Sequence, residues 1–191
     1  DLDLNKQYYL KSKLTLEEGN YLVNHGYEIS MNVPIRGVKG SMYYVKKNGT
    51  ESLGHIFLVY NIVNEIKKYT NKVEVYQEAG PDIVFKNKKK EEIAIEVETG
   101  INFENHKKRL QEKIFSLDKN FKGRWHLVLT DARYKQKYKI YRKDMLTRKD
   151  IPRLIKAYFQ TDKSTKYGKK RKPLKHPVKR KKARTLPISK T

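Results

Sequence analysis

Residues 80–100, with the sequence GPDIVFKNKKKEEIAIEVETG, decide how this chain is expected to fold. Two short apolar runs, at residues 83–85 and 93–97, flank a polar tip at residues 86–92 that carries four lysines. Two strand-like runs joined by a polar turn are typical of a β-hairpin. The tip has nothing to bury, so it is expected to be mobile.

Three carboxylates gather at one end of this predicted hairpin. Glu96 and Glu98 share one face of the second strand, because side chains alternate between faces, and they lie roughly 6.6 Å apart along it. Asp82 opens the first strand, and antiparallel pairing can bring its carboxylate near Glu96. A fold tolerates such crowding of like charges when a cation lies between them. Mg²⁺ or Mn²⁺ would suit these oxygen ligands, although acids on the solvated face of a hairpin give the same spacing.

The composition points to a polyanionic partner. The 191 residues include 44 Lys and Arg against 21 Asp and Glu, which gives a formal net charge of +23. Such a charge makes nucleic acid or an anionic membrane surface the default partner. There is no cysteine, which excludes disulfides and thiolate metal sites. No apolar run approaches the 18 or so residues needed to span a bilayer, so a cytoplasmic protein is expected.

The pattern divides the chain into residues 1–49, 50–160 and 161–191. In the first part, Thr15 and Glu18 form the capping-box pattern of a short helix. Candidate strands follow at residues 27–34 and 41–47, with a basic tip between them. A short helix followed by a basic-tipped hairpin fits a winged-helix-like segment. It also fits any small αβ segment added to a larger domain.

Residues 50–160 alternate helical and strand-like patterns, which predicts an α/β (α+β) fold with a mixed sheet flanked by helices. In chain order these are a helix at 50–69 capped by Thr50, a strand at 72–79, the hairpin, a helix at 102–117 capped by Asn102, a buried strand at 125–130, a strand at 138–141 and a helix at 150–159 capped by Asp150. His55 and Glu65 fall off the apolar stripe of the first helix and are assigned to its solvated face. The five histidines show no paired metal-ligand spacing.

This order of elements, with Pro81-Asp82 followed by Glu96-Val97-Glu98, resembles the PD-(D/E)XK restriction-endonuclease-like superfamily over about residues 50–141. The resemblance matches Asp82 to the motif aspartate and Glu96 to the first acid of the second half-motif. Glu98 stands where that superfamily usually has a lysine. Some restriction enzymes of the superfamily carry a glutamate there and still cut DNA, so the change leaves the general base open.

The sequence from Tyr43-Tyr-Val-Lys-Lys-Asn-Gly49 through Ile95-Glu-Val-Glu-Thr-Gly100 also resembles the replication-relaxation proteins of mobile elements, which are similar to a winged helix followed by a nuclease-like domain. The resemblances imply a restriction-endonuclease-like core and a Mg²⁺-dependent DNA endonuclease. A non-catalytic DNA-binding protein of the same fold, acting in plasmid replication, transfer or maintenance, is the alternative. Tyrosines interleaved with lysines at residues 134–138 leave an RNA-binding or ribosome-associated protein as a third candidate.

Roles for individual residues follow from these expectations. Asp82, Glu96 and Glu98 are the predicted metal ligands, and Glu98 is also a candidate to orient water. Lys113 or Lys107, in the helix after the hairpin, could supply the positive charge that the motif lacks.

Double-stranded DNA is the expected partner, and a homodimer would allow both strands to be cut. Residues 161–191 carry thirteen Lys and Arg residues, no acid after residue 162 and three prolines, so a disordered basic tail is expected. Its two basic clusters also resemble a nuclear-import signal. The predicted nucleic-acid contacts are Arg36, Lys39, Lys107, Lys108, Arg109, Lys169, Lys170, Arg171, Lys172, Lys179, Arg180, Lys181 and Lys182.

Overall fold

Two β-sheets organise the chain in a computed structural model, which describes residues 2–36, 40–76, 80–142 and 144–160 except for the side chains of residues 101 and 102. A three-stranded sheet lies in the N-terminal part and a five-stranded sheet in the centre. The predicted α/β class is confirmed. None of the helices in the described part of the chain is long and apolar enough to cross a membrane. The predicted tail at residues 161–191 lies outside the described residues.

The N-terminal sheet is antiparallel and contains the predicted hairpin. Its strands are β1 (Tyr8–Leu10), β2 (Tyr27–Asn32) and β3 (Ser41–Lys46), in the order β1-β3-β2. Helix α1 (Leu16–Asn24) begins at the predicted capping box, in which Thr15 and Glu18 each bind the other's backbone N–H. Strand β1 was not predicted. Within the described part of residues 1–49, α1 is the one α-helix, so the helix pair of a helix–turn–helix is not found there.

The central sheet combines an antiparallel half with a parallel half. Its strands are β4 (Val73–Val75), β5 (Ile83–Lys86), β6 (Glu92–Glu98), β7 (Trp125–Leu129) and β8 (Leu146–Thr147), in that order. Strands β4 to β6 pair antiparallel, and β6 to β8 pair parallel. The predicted hairpin is therefore confirmed, and so is the buried strand β7, whose five residues are all covered.

Helices cover both faces of this sheet. On one face, α2 (Leu53–Lys67) and α6 (Ile151–Phe159) pack with Ile95 and Val97 of β6. On the other face, α4 (Lys107–Phe121) packs with Ala94 of β6. Because successive side chains of a strand alternate between faces, the residues two and four positions beyond Ala94 also face the side of α4. This places the two glutamates of β6 under that helix.

Three predicted helix caps differ from the structure. Ser52, rather than Thr50, caps α2 and accepts a hydrogen bond from the His55 N–H at 3.3 Å. Asn102 lies inside a short helix, α3 (Ile101–Asn105), which begins directly after Gly100 because that glycine adopts a left-handed φ of 96°. Asp150 precedes α6 as predicted, but its carboxylate binds the N–H and hydroxyl of Thr147 instead of capping the helix.

The strand predicted at residues 138–141 is wrong. A 3-10 turn leads there into the short helix α5 (Lys135–Tyr138), and the Tyr141 N–H bonds back to the Tyr138 carbonyl. Tyr138 is fully buried, and its ring lies 5.3 Å from that of Phe103. Packing of a helical tyrosine therefore explains an apolar position that looked like part of a strand.

The hairpin tip, predicted to be mobile, has a defined turn. The Asn87 side-chain oxygen accepts hydrogen bonds from the N–H groups of Lys89 and Glu91, each at 2.9 Å. The N–H of Lys88 bonds to the carbonyl of Tyr158 in α6. Lys90 takes a left-handed φ of 61°, which closes the turn. A buried asparagine thus fixes the backbone from which four lysines project.

Candidate functional site

A polar cavity of about 470 Å³ opens at the carboxyl-terminal end of β6, between the start of α2 and the side of α4. The carboxyl ends of strands are where open α/β sheets usually bind ligands. We call this cavity the acidic cleft. Its titratable lining side chains include Glu51, His55, Asp82, Glu96, Glu98 and Lys113.

Asp82 is held at the cleft by the first strand of the hairpin. The register pairs Ile83 with Ile95, so the residue before β5 lies opposite Glu96, as predicted. The Asp82 Oδ2 atom accepts a hydrogen bond from the Val97 backbone N–H at 2.6 Å. This bond joins the carboxylate to β6 at the residue between the two glutamates.

Glu96 is the most constrained acid of the cleft. It is 2 % exposed; one carboxylate oxygen contacts the Lys113 ammonium, and the other, Oε2, is buried without a hydrogen-bond partner among the described residues. Burial and the negative charge of Asp82 raise the pKa of Glu96 well above its usual range, and Lys113 only partly opposes this. A buried oxygen without a donor is costly, so the arrangement favours a cation at Oε2.

Lys113 supplies the positive charge that was predicted for the helix after the hairpin. It projects from α4, and its ammonium group contacts Glu96. Burial would lower its pKa, but the carboxylates of Glu96 and Asp82 outweigh that effect and raise it. Lys113 therefore stays charged at neutral pH. Lys107, the other predicted candidate, lies with its Nζ atom 5.4 Å from the ring centroid of Phe103.

Glu98 lines the cleft but has a different environment from Glu96. It is 1 % exposed and accepts a hydrogen bond at 3.0 Å from the Tyr138 hydroxyl. Burial and the charge of Glu98 together raise the pKa of that tyrosine. The structure therefore brings the three predicted acids to one cleft, with a protein donor already bound to the third. Tyr138 was not predicted as part of the site, because its contact depends on the fold of residues 100–141.

Two further residues, His55 and Glu51, line the cleft and were not predicted as part of the site. His55 lies between two acids, with Nε2 at 3.3 Å from Asp82 and Nδ1 at 3.2 Å from Glu51. Burial lowers its pKa, but the two carboxylates outweigh burial and raise it to about 9. The assignment of His55 to a solvated face is therefore wrong, and so is that of Glu65, which is buried and paired with Arg36 and Lys68. The i,i+4 spacing of Glu51 and His55 was the available signal.

The acids and the histidine form a group that could hold a metal ion. Glu51, His55 and Asp82 each offer one ligand atom, and these atoms all lie within 4.8 Å of one another. Glu96 lines the same cavity, and its Oε2 atom is buried without a hydrogen-bond partner among the described residues. Asp82 thus lies between two possible sets of metal ligands. One contains Glu51 and His55, and the other contains the carboxylate of Glu96.

The predicted nucleic-acid contacts fall into three groups. Arg109 lines the acidic cleft, and Lys107 and Lys108 before it are exposed on α4. Arg36 is held by Glu65 through two hydrogen bonds of 3.0 and 2.8 Å, although its side chain stays 62 % exposed. The remaining predicted contacts lie outside the described residues: Lys39, Lys169, Lys170, Arg171, Lys172, Lys179, Arg180, Lys181 and Lys182.

Comparisons of this chain with protein-family models, with curated proteins and with solved structures find no match. The resemblance of its motifs to the PD-(D/E)XK superfamily therefore stays a prediction from the sequence.

Proposed function

We propose that this chain is a metal-dependent DNA-processing protein that hydrolyses phosphodiester bonds at the acidic cleft. Asp82 and Glu96 bind a divalent cation, Mg²⁺ or Mn²⁺, and Glu98 lies behind them as a further ligand or as the group that orients water. Lys113 provides the ammonium that a PD-(D/E)XK site would carry on the strand. In this proposal, the protein is one of the nuclease-like proteins of mobile elements.

The observation that supports this proposal best is the Oε2 atom of Glu96. It is buried without a donor among the described residues, in a side chain that lines the acidic cleft together with Asp82. The two carboxylates raise each other's energy when both are ionised, which is a cost that a structural role would not require. A hard cation with oxygen ligands would remove that cost.

The residues of the cleft divide the chemistry between them. A bound divalent cation would neutralise charge on the phosphate and lower the pKa of a bound water. Lys113 holds the Glu96 carboxylate in place and adds a fixed positive charge beside it. Arg109, one turn earlier on α4, lies at the same cavity where it can bind a phosphate oxygen. The open cleft leaves room for a backbone phosphate to enter.

The charge of the chain supports DNA as the substrate. The formal net charge of +23 favours a polyanion. Exposed Lys107 and Lys108 lie at the start of α4, on the helix that carries Lys113 into the cleft. A duplex bound along this basic helix would bring its phosphates to the acids.

The test is cleavage of DNA by the full chain. Supercoiled plasmid and linear duplex are incubated with MgCl₂ or MnCl₂, and nicked and linear products are measured over time. Nicking or cutting that requires the metal is expected. Asp82→Asn should reduce the rate by about 100-fold or more, because it replaces a charged ligand by a neutral amide.

Asp131→Asn is the matched control. It makes the same chemical change at an aspartate that pairs with Arg133 outside the acidic cleft, so its cleavage rate should equal that of the unmodified chain. Absence of cleavage of every DNA form with either metal would contradict the enzymatic proposal.

One observation favours the alternative of a non-catalytic DNA-binding protein. His55 and Lys113 already place two cationic groups on Asp82, Glu51 and Glu96, so the chain neutralises part of its own acid cluster. Calorimetric titration with MnCl₂ separates the two functions. Undetectable metal binding together with salt-dependent DNA binding that survives Asp82→Asn would establish the alternative.

A further inference from the structure

A second cavity, of about 430 Å³, lies at the opposite end of the hairpin from the acidic cleft. We call it the tip cleft. The two cavities have no lining residue in common. Asp82 and Lys86, at the two ends of β5, are roughly 13 Å apart along the strand. The charged and aromatic side chains that line the tip cleft are Tyr69, Lys72, Lys86, Lys88, Lys90 and Phe159.

The tip cleft is positively charged without internal compensation. Four lysines line it, and its lining contains no acid. Lys86 approaches Glu92 at 3.8 Å, whereas Lys72, Lys88 and Lys90 form none of the ion pairs found among the described residues. The bonds of Asn87 fix the backbone of the tip, so the ammonium groups project from a defined turn. Like charges held together in this way favour an anionic ligand.

An aromatic stack forms the apolar side of the same cavity. The rings of Tyr69 and Phe159 are nearly parallel, with an interplanar angle of 10° and centroids 5.2 Å apart. Phe159 stacks in turn on Phe85 of the core, at 6.1 Å. Tyr69 remains 40 % exposed at the outer end of this stack. The half-exposed ring of Tyr69 lines the same cavity as the four lysines.

We propose that the tip cleft binds an unpaired nucleotide of a single nucleic-acid strand. The base stacks on Tyr69, and the phosphates on either side bind the lysines of the tip. Single-strand binders combine these two features, an aromatic platform and a basic groove. The cavity has the size of pockets that take small ligands. A regular duplex keeps its bases stacked on each other and offers none to the tyrosine.

This proposal goes beyond the proposed function because it does not depend on metal binding or on cleavage. A strand bound at the tip would leave the acidic cleft free, since the two cavities lie at opposite ends of β5. Failure of one proposal therefore leaves the other testable by itself.

The experiment measures fluorescence anisotropy of a labelled 15-nucleotide oligothymidylate and of a labelled duplex of the same length, with the full chain in EDTA. Tyr69→Ala should weaken single-strand binding by roughly 5- to 150-fold, the range for loss of one base–aromatic stack. Binding of the duplex should change by less than about twofold, because phosphate contacts alone remain there. Tyr69→Phe should bind like the unmodified chain, since it keeps the ring.

Tyr21→Ala is the matched control, because Tyr21 is a similarly exposed tyrosine, 45 % accessible, on α1. Lys88→Gln combined with Lys90→Asn tests the tip without touching the packing of α2 and α6, and asparagine suits the left-handed backbone at residue 90. This pair of changes should lower the salt dependence of single-strand binding by about 1 to 2 units in the log–log slope. The pair Lys11→Gln and Lys13→Gln, at another exposed site, should lower it less.

Three results would overturn the proposal. Tyr69→Ala could bind the oligothymidylate as tightly as the unmodified chain, or it could weaken the duplex and the single strand equally. Free thymidine monophosphate could also compete as strongly, molecule for molecule, as the oligonucleotide, which would assign the tip cleft to a free nucleotide. A thermal unfolding midpoint measured for each variant shows whether a loss of binding reflects loss of the fold, in which case the lysine variants decide.

Discussion

The acidic cleft and the tip cleft lie at opposite ends of the same two strands, and they handle charge in opposite ways. In the acidic cleft, buried carboxylates of Asp82 and Glu96 are held in fixed positions by backbone and ammonium contacts. In the tip cleft, exposed lysines project from a turn and bind little of the protein itself. The acidic cleft keeps like charges close together in the protein interior, where they repel each other strongly. The tip cleft distributes its charges over the surface.

Each end of the hairpin is therefore suited to a different kind of ligand. Charges in a buried, low-dielectric position interact strongly with a small ion, which suits the precise placement of a cation. Exposed charges interact weakly one by one and lose strength in salt, which suits the sliding or capture of a long polyanion. Changes in the acidic cleft should therefore have large and specific effects, and changes at the tip small and salt-dependent ones.

The largest effect is expected from Glu96→Gln. The neutral amide removes the metal ligand and should reduce any metal-dependent cleavage by about 1,000-fold. It also removes a buried charge that burial and Asp82 disfavour, so the metal-free variant should unfold at a midpoint at least as high as that of the unmodified chain. Plasmid cleavage measures the first effect, and calorimetric unfolding with and without MnCl₂ measures the second.

The unmodified chain should gain stability with metal, by about 2.7 kcal/mol at 100 times the dissociation constant, and Glu96→Gln should gain little. Glu112→Gln, also at the rim of the cavity, is the matched control and should behave like the unmodified chain. A variant that is much less stable than the unmodified chain without metal would show that Glu96 has a structural role instead.

A second change, Lys113→Met, separates the ligand from the charge beside it. It should reduce cleavage by about 100-fold, because the site loses a positive charge near the phosphate. The affinity for Mn²⁺ should stay the same or increase, since the ammonium no longer competes for Glu96. Loss of the partner should also destabilise the metal-free chain by about 1–2 kcal/mol, given that Lys113 is partly exposed.

Lys108→Met, on the same helix but exposed, is the control for this change. Equal losses of metal affinity and cleavage in Lys113→Met would contradict the assignment, because they would make the lysine necessary for the metal rather than for the phosphate.

The hairpin and its acids could be predicted because their signals are local. Alternation of apolar residues sets the strands, and the register then follows from the turn, which places Asp82 opposite Glu96. Lys113 could be named as a candidate, together with Lys107, because both lie in the helix that was predicted to follow the hairpin. These parts of the site depend on periodicity and connection length alone.

The rest of the site depends on contacts between distant elements. His55 reaches Asp82 only because the first turn of α2 lies next to the start of β5, and no periodic pattern specifies that arrangement. The alternation of Tyr138 and Ile140 favoured a strand, whereas burial against Phe103 and the bond to Glu98 made it a helix end. The hairpin tip is ordered because one asparagine hydrogen-bonds its backbone. Asparagine often stabilises turns in this way, and the prediction of a mobile tip did not take this into account.

The third prediction concerns pH and the metal-free acidic cleft. Because the pKa of His55 is raised to about 9, well above that of an unfolded histidine, the folded chain holds the proton more tightly. Its contribution to stability is complete below about pH 6.5 and is lost as the pH rises through about 9, a total of about 3 kcal/mol. The pH dependence of the free energy of unfolding in urea, measured in EDTA from pH 6 to 10, tests this.

His55→Gln should remove this decrease in the free energy of unfolding with rising pH. His25→Gln, at a histidine on the end of α1, should leave the decrease unchanged. The comparison between the two variants is needed because Glu96 shifts stability in the same direction: its pKa is raised, so its folded form also loses stability as the pH rises. An identical slope in His55→Gln and in the unmodified chain would contradict the placement of His55 between Asp82 and Glu51.

The smallest effect is expected at the tip, from Asn87→Ala. The side chain of Asn87 accepts hydrogen bonds from two backbone N–H groups and donates one to Glu91. Its loss should cost about 1–2 kcal/mol of unfolding free energy, since two backbone N–H groups lose their acceptor and water replaces it only in part at this partly buried position. The turn that carries the lysines would then be less ordered, so oligothymidylate binding should weaken by roughly 2- to 5-fold.

Metal-dependent cleavage should change by less than about twofold in Asn87→Ala, because the change lies at the other end of β5 from Asp82. Asn120→Ala, which removes a single exposed bond to Ser116 on α4, is the matched control for stability and for binding. If Asn87→Ala reduced cleavage as strongly as single-strand binding, the two ends of the hairpin would act as one site, and the contrast between a buried centre for a cation and a surface for a strand would be wrong.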